Sequence, residues 1–190
     1  MSMGETSHEV GRDGVTRAKI WLEKTGRVDV NFTRYEVEGA KFMTFENLLG
    51  RTFSFDMTGQ LHIDSGKTQF FAEVKKVSSE ANQGTLYKEY LAKCYRTSVV
   101  TRMPHNFIWL TWHPFSQTSW TKLFAVDELM AAVELHKVDY LGSDAIDEGL
   151  CRELANRLWL IVISDRQEGL SMSNQMFGEL KRALVDGVPR

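Results

Sequence analysis

Cysteine is nearly absent: Cys94 and Cys151 are the only two in 190 residues. Two thiols build no disulfide framework, and they fit a reducing cytoplasm. None of the five histidines stands at ligand spacing from another metal-binding residue. Proline is also scarce, with three residues, and none marks a domain boundary. No apolar run approaches the ~20 residues that cross a membrane. The longest, "LWLIVI" (158–163), has the length of one strand. There is no glycine-rich phosphate loop and no G-x-S-x-G elbow, so an NTPase or a serine hydrolase has no support. A net charge of −2 argues against a protein that coats nucleic acid non-specifically. It leaves room for basic residues gathered around a single groove.

What is present reads as one domain. Residues 1–13 are polar and are expected to form a flexible tail, and residues 14–190 a single folded unit. Val15, Ala18, Trp21 and Leu22 fall at helical spacing, and Gly26 stands where a helix would stop. Residues 52–64 and 67–77 alternate like two strands of a hairpin around Ser65-Gly66. A helix is expected next, with Leu86, Tyr90, Leu91 and Cys94 on its apolar stripe. "NFIWLTW" (106–112) and "RLWLIVIS" (157–164) read as buried strands, with helices between them and a closing helix capped by Ser173 and stopped by Gly187. This order predicts an α/β fold: a mixed central β-sheet flanked by helices.

One stretch carries chemistry. In "QFFAEVKKVSS" (69–79), Phe70, Ala72 and Val74 share one strand face, small and apolar. The opposite face carries Phe71, Glu73, Lys75 and Val77. A carboxylate and an ammonium side by side on an apolar strand are either a solvated pair or part of a cleft. Asp56 precedes Glu73 by 17 residues on the neighbouring strand, and a helix follows the pair at once. Two carboxylates suit a hard divalent cation. Lysine beside them supplies a compact positive charge.

Asp56 followed by Glu73-Val74-Lys75, in this strand–strand–helix setting, resembles the PD-(D/E)xK nuclease superfamily, which includes type II restriction enzymes and RecB-like exonucleases. The resemblance covers about residues 14–112. It implies a restriction-endonuclease-like αβββαβ core, with the acid and the triplet on adjacent strands. It also implies Mg²⁺- or Mn²⁺-dependent hydrolysis of DNA. Asp56, Glu73 and the carbonyl of Val74 would hold the metal, and Lys75 would orient or help deprotonate the attacking water. The proline of the family name is replaced here by Phe55. A second triplet, Glu179-Leu180-Lys181, lies in a helical pattern, where positions two apart diverge, and is assigned to a solvated helix face.

Gln83 and Tyr87 match a Q-x-x-x-Y pattern of RecB-like members, and both would support the site or the DNA; the alternative is that Tyr87 is core and Gln83 a helix-start residue. Lys76 and Lys88, with Lys93, Arg96 and Arg102, form a candidate phosphate-binding rim, or else a solvated helix face. Glu23 is the nearest acid in the first helix for an extra metal ligand. With Ser65-Gly66 as a two-residue loop, Asp56 would oppose Lys75 and Thr58 would oppose Glu73, unless Gly59 marks a bulge. The length fits a lone nuclease domain, as a homodimer or a subunit of a larger assembly. A catalytically inactive module of the same fold, binding nucleic acid or a protein partner, is the competing expectation.

Overall fold

A computed structural model describes residues 3–63, 66–77, 79 and 82–186. The elements in chain order begin with helix α1 (Met3–Lys24) and strand β1 (Val28–Thr33). A short helix α2 (Ala40–Met43) and strands β2 (Thr44–Glu46), β3 (Thr52–Ser54), β4 (Met57–Ile63) and β5 (Gly66–Lys75) follow. Next come α3 (Gln83–Thr101), β6 (Asn106–Thr111), a 3-10 helix (Gln117–Lys122), α4 (Val126–Leu135) and α5 (Lys137–Tyr140). The chain continues with α6 (Glu148–Ala155), β7 (Leu158–Val162), α7 (Asp165–Gly169) and α8 (Asn174–Asp186).

The central sheet has five strands in the order β1-β4-β5-β6-β7. β4 runs antiparallel to β1 and β5, whereas β5, β6 and β7 run parallel. The sheet is therefore mixed, as the alternation of hairpin and helix-linked strands requires. Both of its faces are covered. Val15, Ala18 and Leu22 of α1 pack on Phe70, Ala72, Val74, Ile108 and Leu110. On the other face, residues of α3, α4 and α6 pack on Phe71, Phe107 and Trp109. Both faces of β5 are thus core, and Glu73 and Lys75 emerge from the α3 side. No helix among the described residues is long and apolar enough to cross a membrane.

Three expectations are corrected. First, α1 begins at Met3, within the residues read as a tail. Tertiary contacts hold its middle: Asp13 pairs with Lys76, and the Arg12 guanidinium lies 5.2 Å from the centre of the Tyr35 ring. Second, "LWLIVI" is not buried on both faces. β7 is an edge strand, and Trp159 is 42% exposed. Third, β1 is an added strand whose Asp29 and Asn31 dilute its β-propensity. The stop at Gly187 lies outside the described residues. Glu179 of the second triplet is exposed on α8, as assigned.

Candidate active site

The expected strand 52–64 is broken in two. β3 pairs with β2 in a small second sheet, whereas β4 belongs to the central one. Phe55 and Asp56 form the break. Phe55 is fully buried and stacks on Phe71 with ring centres 5.2 Å apart. That anchor fixes Asp56, which is 4% exposed. Its backbone N–H donates to Ala72 O at 2.8 Å, and its own carbonyl accepts from Arg34 N at 2.9 Å. A carboxylate this buried needs donors. Oδ2 accepts from the Val74 N–H at 2.8 Å, and Oδ1 accepts from Arg34 Nη1 at 3.0 Å.

The hairpin register differs from the expected one by two residues. Ile63 pairs with Gly66 and Thr58 with Phe71; Asp64 and Ser65 lie outside the described residues. A shift of two preserves the face each side chain takes, whereas a shift of one would reverse it. Asp56 precedes β4, at the break, and its carboxylate is placed by the Val74 N–H and by Arg34 instead. The irregularity foreseen at Gly59 falls on the partner strand instead: β1 bulges between Val30 and Phe32, opposite Gly59 and Thr58. Gly59 permits this approach, because a Cβ there would stand 2.0 Å from Asp29 O.

β5 runs past the start of β4, so its last residues pair with a strand on one edge only: Glu73 with Trp109, Val74 with Leu110, Lys75 with Thr111. On the free edge, the Asp56 carboxylate takes the Val74 N–H in place of a strand. The carbonyl of Val74 points to that same edge, since a strand residue's N–H and C=O share a direction. Glu73 Oε1 accepts from Lys75 Nζ at 2.6 Å, and Nζ lies 5.8 Å from the centre of the Trp109 ring. Glu73 Oε2 is buried with no partner. The Glu73 side chain is 9% exposed and that of Lys75 is 25%. The pair is therefore recessed rather than solvated.

Burial pushes the Glu73 carboxyl above its usual range, and the neighbouring Asp56 charge adds to it, against the pull of Lys75 and Lys93. Burial pulls the Lys75 ammonium down, but contact with Glu73 reverses this, and its pKa ends above the ordinary lysine value. Lys75 is thus a cation at neutral pH. Burial is the largest effect on the Arg34 charge and opposes it, but the hydrogen bond to Asp56 and the charges of Asp56 and Glu73 together outweigh it, so the Arg34 pKa is also raised. Two carboxylates and two cations form a neutral quartet at the free end of β5.

Two clefts flank this quartet. One, of about 490 Å³, is bordered by Gly11, Arg34, Tyr35, Asp56, Lys75 and Lys76. The other, of about 400 Å³, is bordered by Arg34, Arg51, Glu73, Glu89, Lys93 and Tyr140. Arg34 borders both. A larger cavity, of about 600 Å³, lies at the far end of α3 beside Arg102 and Arg157 and contains none of the triplet residues. Its size does not outweigh the chemistry gathered at the quartet.

Among the described residues, no group of three His, Cys, Asp or Glu side chains is placed to hold a metal ion. A set of two carboxylates and a backbone carbonyl remains. Glu73 contributes an oxygen with no partner, Asp56 lies close enough to raise the Glu73 pKa, and the Val74 carbonyl faces the same edge. This all-oxygen set fits a hard divalent cation that keeps several waters.

The remaining expected residues divide. Lys76 borders the first cleft but is paired with Asp13. Lys88 stands 3.7 Å from Glu128, and Lys93 stands 3.1 Å from Glu89. Arg102 is at the opposite end of α3, ~28 Å along a 19-residue helix. The five cations therefore do not form one rim. Glu23 is nine residues, ~13 Å of helix rise, from Gly14, which packs on Lys76, so it does not approach the site. Tyr87 is core. It is 2% exposed, and its hydroxyl donates to Leu123 O at 3.0 Å. Gln83 is fully buried; its Oε1 accepts from Thr111 Oγ1 at 2.7 Å, and its Nε2 donates to His113 O at 2.9 Å. Thr111 Oγ1 also lies 3.0 Å from Lys75 O, so Gln83 braces the end of β5 through Thr111. Arg34 is the site residue that sequence reasoning missed. It follows the unforeseen β1, and no local pattern connects it to Asp56.

No protein-family model matches the chain, and neither does any curated protein or solved structure.

Proposed function

We propose that this protein hydrolyses DNA phosphodiesters with Mg²⁺ or Mn²⁺, as a PD-(D/E)xK-type nuclease. The observation that carries the reading is the unpartnered buried Oε2 of Glu73 beside Asp56, with Lys75 Nζ 2.6 Å from the other Glu73 oxygen. The chain order adds support. With α2, β2 and β3 taken as an insertion between β1 and β4, the succession α1, β1, β4, β5, α3, β6 is compatible with the αβββαβ order that the resemblance implies.

In this reading Asp56, Glu73 and the Val74 carbonyl would hold the cation at the open edge of β5, where its chemistry would be to acidify a water and neutralise charge on the phosphate. Lys75, two residues from Glu73 on the same strand face, would orient the attacking water or stabilise the developing oxyanion. Trp109 and Thr111 of β6 hold the strand that presents it. Gln83 braces the same strand end.

A second reading, a non-catalytic module of the same fold that binds nucleic acid or a protein partner, draws on one observation. Both Asp56 oxygens already accept hydrogen bonds, from Val74 and Arg34. Conversion of supercoiled plasmid in Mg²⁺, and its suppression by EDTA, separates the two. Glu73→Gln and Lys75→Ala should each lower cleavage by about a hundredfold or more while circular dichroism stays unchanged. Full activity in either folded variant would overturn the catalytic assignment.

A further inference from the structure

Arg34 occupies a position that a structural ion pair does not need. It is pinned to Asp56 twice, through its backbone N–H to the Asp56 carbonyl at 2.9 Å and through Nη1 to Oδ1 at 3.0 Å. The backbone contact alone would hold the turn after β1. The guanidinium contributes something else: it places a cation, with its side chain 47% exposed, on a carboxylate that is 6% exposed. It also borders both clefts, so it lies on the path between them. Asp56 Oδ2 is committed to the Val74 N–H, which keeps the carboxylate oriented. Oδ1 is therefore the oxygen that can change partner, and Arg34 holds it.

We infer that Arg34 is an exchange residue: it neutralises Asp56 Oδ1 while the site holds no cation, and turns to a backbone phosphate of the nucleic acid once a divalent cation takes that oxygen. This inference rests on the nuclease reading above. A divalent cation shared by Asp56 and Glu73 replaces the guanidinium charge that the metal-free pair requires. The freed guanidinium then meets the negative phosphate arriving over the end of β5. Its fork of donors suits phosphate. Lys75 is less suited to this exchange, because it is more deeply recessed and bound to Glu73. Of the other cations bordering the clefts, Lys76 and Lys93 are occupied by Asp13 and Glu89, and Arg51 borders only the second cleft, which Asp56 does not line.

The test separates cation binding from cleavage. Mn²⁺ binding to the full chain is measured by titration calorimetry, with no DNA present, for the wild type, Arg34→Gln and Arg34→Lys. Removing the competitor should tighten Mn²⁺ binding in Arg34→Gln by about fivefold or more, the size of an ordinary coupling between two ligands of one site. Arg34→Lys, which keeps the charge, should stay close to the wild type and covers the case in which the glutamine variant folds poorly. With Ca²⁺ as a probe cation, Arg34→Gln should bind a short DNA duplex about tenfold more weakly, and the slope of log affinity against log salt should fall by about one. Unchanged or weaker Mn²⁺ binding in a folded Arg34→Gln, with normal binding by the wild type, would overturn the exchange and leave the nuclease reading intact. If the wild type binds no Mn²⁺, the metal site and the exchange both fail.

Discussion

Replacing Tyr87 separates packing from chemistry at the helix that follows the triplet. Its ring lies 5.4 Å from both Trp109 and Phe115 and 5.8 Å from Tyr90, centre to centre. Its hydroxyl donates to Leu123 O, at the end of the 3-10 helix. Burial raises its pKa, so the phenol stays neutral at any working pH. Tyr87→Phe removes one donor and leaves a buried carbonyl unpaired, at a cost of about 1 to 2 kcal/mol. Tyr87→Ala also removes the ring from a site with little room to collapse, at about 3 to 5 kcal/mol. For a chain of this size, 1 kcal/mol is about 2 to 4 °C in Tm. The losses are then about 2 to 8 °C and about 6 to 20 °C. Thermal melts followed by circular dichroism give these shifts, and DNA cleavage at a temperature where both variants are folded gives activity per folded molecule. That activity should match the wild type. If Tyr87→Phe melts like the wild type but cleaves DNA several-fold more slowly, Tyr87 acts in the site and the core assignment is wrong.

Two further predictions test the scaffold. Burial, with Arg157 adding to it, lowers the His105 pKa, so the unfolded chain takes a proton below pH ~6.5 that the folded chain resists. The stability this brings is present above pH ~6.5 and is lost as pH falls toward the folded pKa, at up to ~1.4 kcal/mol per pH unit. Urea unfolding between pH 7.5 and 5.5 should show the decline, and His105→Phe should flatten it; an equal slope in the variant would refute the assignment. At Gly59, an added Cβ meets Asp29 O at 2.0 Å and Val30 Cα at 2.9 Å, both backbone atoms. Gly59→Ala should therefore cost about 3 kcal/mol, read as a lowered urea midpoint, and a midpoint equal to that of wild type would show that the β1 bulge is not as tight as described.

Much of the fold was legible because the signals that specify it are local. Alternation in 67–77 marks β5, the stripe through Leu86, Tyr90, Leu91 and Cys94 marks α3, and the apolar run at 106–111 marks β6. Such patterns report which face of an element is apolar, and here they imply a mixed sheet between helices. The strand setting of Glu73-Val74-Lys75 was legible for the same reason, as was the helical setting of Glu179. Four features required the tertiary structure. The burial of the Glu73/Lys75 face depends on α3 lying across it, which no property of β5 encodes. The hairpin register depends on which two residues make the connection, and a shift of two leaves the alternation unchanged. Asp56 lies at a break rather than within a strand, because Phe55 turns into the core against Phe71. Arg34 meets Asp56 only because β1 pairs with β4, across 22 residues that carry no common pattern. Sequence periodicity records the environment of a residue along its own element; the partner of a buried charge is set by the packing of elements against one another.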